Sequence, residues 1–228
     1  MGSSASLLGV EVRDHNKAIA AAAKAALAPI GMVRKGRSRT WLADRGYMLG
    51  MVEFQPSSGS RGSYLNVSLM WLWRPISYLT FEVEPRRVGN SVSFEGTTDL
   101  ANDVARLAGE ARDAMSSLLA RFDGIQSVID YLKSSPGATT PTFLGHLGTA
   151  YGIVGELSHA RSVLDAASVA RENAAPGAWR ALNYLIDARH AADSEPAFLE
   201  WVSGALTTTR AALKLPDRPD LLSDVRRL

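Results

Sequence analysis

Cysteine is absent from the 228 residues of this chain. That excludes a disulfide framework, a thiolate nucleophile and a cysteine-bound zinc or iron–sulfur centre. Long apolar runs are also missing: AIAAAAKAALAPIGM, near the N-terminus, is interrupted by Lys24, rich in alanine and too short to span a bilayer. Charge of one sign is scarce, with a formal balance of only +2. It divides into 12 Lys and Arg against 7 Asp and Glu over residues 1–95, and 13 against 16 over residues 96–228. A tilt this small gives the first half a mild preference for acidic partners, with solvated charge as the plain alternative. These absences predict a cytoplasmic protein that does not enter a membrane. MGSSAS has the spacing of an N-myristoylation signal, which acts only in a eukaryotic host. The excess of arginine over lysine and the abundance of alanine point instead to a GC-rich bacterial genome.

What is present is a normal globular composition, 46% hydrophobic and 21% charged, enough to bury a core. Asp14 to Ala28 reads as a helix capped by Asp14 and ended by Pro29 and Gly31. Arg39 to Ala43 and Tyr47 to Gln55 read as strands around an Asp-Arg-Gly turn, followed by a Gly/Ser loop, PSSGSRGS. In SYLNVSLMWLW the alternation sets Leu65, Val67, Leu69, Trp71 and Trp73 against Tyr64, Asn66, Ser68 and Met70. SYLTFEVEP and NSVSFEG predict two further strands, with Leu79, Phe81 and Val83 inward and Glu82 and Glu84 outward. The expectation is an α+β fold: a helix, a four- or five-stranded, mostly antiparallel sheet, and covering helices. Thr98 caps a helix whose stripe runs from Leu100 to Leu119, and a short helix follows at 125–133. SSPGATTP then marks a boundary, giving an α+β domain over 1–135 and a helical module over 136–228, with helices near 142–154, 157–173, 177–192 and 196–214.

Most chemical motifs fail on context. GMVRKGRS has the outline of a phosphate-binding P-loop, but Arg37 stands in place of its lysine and the order is helix to strand. His15, His146, His159 and His190 lack metal-ligand spacing and read as surface or packing residues. Glu82 and Glu84 with Glu53 form a remote hydrolase or nuclease candidate, against the simpler reading of a solvated sheet face. No cofactor or metal is expected. RKGRSRTW stands out: a strand starting near Lys35 would put Lys35, Arg37, Arg39 and Trp41 on one face. Such a row can contact phosphates and stack a base, or it can be a sheet edge neutralised by Glu53, Glu82, Glu84 and Glu95.

Two resemblances add to this. Pro29, Gly31, Lys35, Gly36, Thr40, Trp41, Phe54, Gln55, Tyr64 and Asn66, in their order along Leu27 to Trp73, resemble the bacterial family called domain of unknown function 4304. The likeness implies an α+β domain and supplies no activity or catalytic residues. FLGHLGTAYGIVGELSHARSVLDAAS is similar to a single tetratricopeptide repeat over 141–174, carried by Leu147, Gly148, Tyr151, Gly155, Ala160, Leu164 and Ala167. Trp179 and Leu182 continue the pattern and Glu195 breaks it, so a degenerate helical hairpin is expected rather than an array. Together these readings predict a non-enzymatic bacterial protein that engages another protein through residues 142–192, a property that suits an immunity or defence-accessory role. The alternative is a nucleic-acid-binding module whose surface comprises Lys35, Arg37, Arg39, Trp41, Tyr64 and Asn66.

Overall fold

A computed structural model describes residues 4–57, 62–93, 100–172, 182–218 and 221–222, with side chains described for these apart from 4–14, 85, 86 and 89–93. The chain forms two compact units that interleave in sequence: Met1–Arg45, Leu49–Met70 and Phe81–Ala120 in the first, Gly46–Met48, Trp71–Thr80 and Arg121–Leu228 in the second. The punctuated stretch from Ser134 to Pro141 is a turn within the second unit. The α+β class expected from the element pattern is observed. Among the described residues no helix is long and apolar enough to cross a membrane.

The first unit begins with α1, Ser4–Leu27. Asp14 is therefore inside the helix rather than its cap. The residues before it contain no proline, and alanine, leucine, glutamate and arginine among them favour a helix. Ile19, Ala23 and Leu27 recur every four residues and are buried. The sheet is a meander in the order β1 (Val33–Arg34), β2 (Thr40–Asp44), β3 (Met48–Pro56), β4 (Gly62–Trp71) and β5 (Val83–Ser93). Register pairs Trp41 with Val52 and Ala43 with Gly50, so these residues share the inward face. Met115 of α2, Leu100–Arg121, lies on that face against Gly50, where an added methyl would be 2.8 Å from its sulfur. The α2 stripe is buried at Val104, Leu107, Ala108, Ala111, Met115 and Leu118. The Thr98 cap, Glu95 and residues 58–61 of the Gly/Ser loop are outside the described residues.

One strand prediction is corrected. Residues 77–82 are not a strand, and Val83 to Ser93 form a single one where two were expected. The reason is a bulge. Val67 pairs with Arg86 and Leu69 with Val83, so two steps along β4 oppose three along β5. Glu84 takes up the extra residue at φ +44° beside Pro85, whose missing amide a bulge tolerates.

The second unit is built on α3 (Ile125–Ser134), α4 (Pro141–Ile153), α5 (Leu157–Glu172), α6 (Tyr184–Ala191) and α7 (Glu195–Leu213). Thr140 caps α4 by accepting from the Phe143 amide, with Pro141 at the first helical position. Three glycines make α4 the centre of this unit. A methyl at Gly148 would be 2.6 Å from Leu164 of α5, one at Gly145 2.5 Å from Leu185 of α6, and one at Gly152 2.1 Å from Phe198 of α7. Gly155 turns the α4–α5 hairpin at φ +82°. The expected hairpin packing of Gly148, Ala160 and Leu164 is thus observed.

Aromatic rings also pack together in this unit. Tyr47 and Trp71 stack on Trp73 at centroid distances of 5.7 and 5.3 Å, and Phe122 meets Trp71 edge-on. The buried Trp73 Nε1–H donates to His146 Nδ1 at 2.9 Å. Since an indole only donates, this bond requires an unprotonated Nδ1.

Candidate functional site

The stretch Gly31 to Trp41 is shaped by its turn residues. Gly31 ends the helical segment at φ +81°, its amide donating to Ala28 O. After the two residues of β1, Lys35 N–H donates to Thr40 O at 2.9 Å and Gly36 takes φ +55°. Ser38 Oγ donates to Lys35 O and accepts from the Thr40 amide. The chain therefore turns from 35 to 39, where a strand had been expected. This disperses the basic row.

Each of its members has its own place. Arg34 folds over the turn, Nε donating to Ser38 O at 2.7 Å and Nη2 to Arg37 O at 3.0 Å. Arg39 reaches inward, donating to Asn16 Oδ1 at 2.8 Å and to Ser63 Oγ at 2.9 Å, and its burial lowers its pKa from the ordinary value. Trp41 is buried on the inward face, 5% exposed. The side chains of Lys35 and Arg37 make no hydrogen bond or ion pair with a described residue and stand at the turn. Tyr64 is capped by the Arg87 guanidinium 3.9 Å from its ring centroid. Asn66 donates from Nδ2 to Glu53 Oε2 at 3.1 Å and Gln55 Oε1 at 2.9 Å. The six expected surface residues thus separate into a turn tip, an inward pair and an outward pair.

The carboxylate candidates are separated as well. Glu53 opposes Thr40 on β3, whereas Glu82 precedes β5 and Glu84 lies in its bulge, on the far side of β4. Among the described residues no group of three His, Asp or Glu side chains could hold a metal ion. His159 is exposed, 2.9 Å from Glu156 Oε2, and His146 is a buried packing residue.

Two features were not foreseen residue by residue. The first is a cleft of about 520 Å³ in the first unit. Ala20, Ala21, Ala28, Met32, Val33 and Trp41 line it, and Lys24 and Arg34 supply its charge. The signal for it was the small-residue run of α1, but in so alanine-rich a helix no position stands out.

The second is the α5–α6 seam. Arg189 Nε donates to Asp165 at 2.7 Å, Arg171 to Asn183 at 2.7 Å and Arg161 to the Ala192 carbonyl at 3.1 Å, so the two helices run antiparallel. Val169 lies on α5 and Ile186 on α6. Both are exposed, at 61% and 41%. The Asp165 hydrogen bond raises the Arg189 pKa, which its partial desolvation only partly opposes. Two exposed apolar side chains thus stand on helices that polar bridges hold together.

Comparison with family models, curated proteins and solved structures finds no match to this chain.

Proposed function

We propose that this is a non-enzymatic, cytoplasmic protein-interaction protein whose partner docks on the α5–α6 seam, within residues 142–192. The observation that carries this reading is the exposure of Val169 on α5 and Ile186 on α6, two helices joined by the Arg171–Asn183 and Asp165–Arg189 bonds. Interface centres are apolar with polar rims, and exposed charges at the rim tune specificity more than affinity. A degenerate hairpin module suits the role, since stacked helices present a fixed face without a moving part. The carboxylates offered for hydrolysis are dispersed, and the cations offered for nucleic acid are divided between a turn tip and intramolecular bonds.

A photo-crosslinking amino acid placed at Val169, and at the exposed Ser116 of α2 as control, tests the reading in cells that express the protein naturally. The expected result is one discrete protein adduct at 169, absent at 116 and lost when Ile186 is changed to Glu. Identical adduct patterns at the two positions would refute it.

A further inference from the structure

We infer that the cleft of the first unit is a binding site for a small amphipathic monocarboxylate, a compact alkyl or aryl group ending in one carboxylate. Its volume of about 520 Å³ is within the range of ligand pockets, roughly 300–1,000 Å³. The walls are methyl groups, a thioether and the buried face of Trp41, which offer an apolar guest dispersion contacts and no hydrogen-bonding demands. Alanines at 20, 21 and 28 are what leave this volume open. Among the described residues that line it, the charged ones are the cations Lys24 and Arg34.

Neither cation is neutralised by a carboxylate among the described residues. Arg34 is also preorganised. Its two bonds to Ser38 O and Arg37 O fix the guanidinium plane but go to neutral acceptors, which do not compensate its charge. Bringing an anion to a fixed guanidinium costs little side-chain entropy. Val33, 71% exposed on the two-residue β1, stands at the rim as apolar surface that a guest's tail would cover. Trp41 forms a buried wall rather than an exposed platform, so base stacking is not available to it. The chemistry that fits is therefore apolar bulk with one anionic end. This inference is independent of the seam on the second unit, and each stands or falls alone.

Isothermal titration of the full chain with octanoate, octanamide and octylammonium tests it. Octanoate is expected to saturate one site and to bind at least about tenfold more tightly than octanamide, the worth of a charge-assisted contact. Octylammonium should not bind. Ala21→Phe and, independently, Ala28→Leu should each abolish octanoate binding by filling the cleft, with circular dichroism unchanged. Lys24→Gln should weaken it about tenfold. Absence of saturable octanoate binding, equal binding of the amide, or binding untouched by both filling variants would each overturn the assignment. So would uptake of an acidic, leucine-bearing peptide by a chain that ignores octanoate, which would make the cleft a protein-docking groove.

Discussion

Gly152→Ala is the most demanding perturbation of the helical unit. The added methyl would lie 2.1, 2.3 and 2.6 Å from three ring carbons of Phe198, a fully buried side chain. Carbon atoms in contact sit about 3.5–4 Å apart, so the ring must retreat by roughly 1.5 Å. Overpacking on this scale costs about 3 kcal/mol, at the top of the usual range. Replacing a helical glycine returns about 1 kcal/mol. The net loss is about 2 kcal/mol, or about 4–8 °C in melting temperature for a chain of this size. Gly204 in α7 is the control, since nothing lies within 4 Å of its would-be methyl. Gly204→Ala should stabilise by up to about 1 kcal/mol. Urea unfolding followed by far-ultraviolet circular dichroism reads both signs. Pairing Gly152→Ala with Phe198→Leu should recover part of the loss, because the smaller side chain vacates the space the methyl needs. If Gly152→Ala matched Gly204→Ala in sign, the close approach of α4 and α7 would be refuted.

Arg39→Ala should destabilise by about 1 kcal/mol through its bonds to Asn16 and Ser63, discounted for partial exposure, whereas Arg37→Ala at the turn should leave urea midpoints unchanged. His146→Phe removes the acceptor of the buried Trp73 N–H and should cost about 1–3 kcal/mol, with loss of near-ultraviolet signal from the stacked tryptophans. The Arg189 pKa is raised in the folded chain, so its contribution is complete below the unfolded value and fades only in strong alkali. Arg189→Ala should therefore lower stability by at most about 0.5 kcal/mol, and by the same amount at pH 6 and pH 9. A pH-dependent difference between the two chains would contradict that assignment.

Strands β2 to β4 were legible because hydrophobic alternation is strict where one face is buried, as at Leu65, Val67 and Leu69. The α4–α5 hairpin was legible because Gly148 and Ala160 sit where helices must approach closely. The β4–β5 pairing was not, since alternation from Leu79 to Glu84 continues in sequence while the bulge at Glu84 shifts the ladder. The basic row failed for a related reason. Counting every second residue from Lys35 presumes a strand, but Gly36 and the Ser38 hydroxyl build a turn. The cleft depends on Lys24 and Trp41, 17 positions apart, meeting across packed elements, and no local pattern encodes that. Val169 and Ile186 fall within the expected 142–192 interval, yet their exposure follows from how the helices pack and not from any local pattern.

The most direct measurement is quantitative mass spectrometry of what co-purifies with the tagged chain, its Val169→Glu/Ile186→Glu variant and its Lys35→Ala/Arg37→Ala variant. Docking on the seam predicts a partner depleted at least about tenfold by the first pair, unchanged by the second and insensitive to nuclease. A profile untouched by Val169→Glu/Ile186→Glu, or one lost on nuclease treatment and with Lys35→Ala/Arg37→Ala, would contradict it.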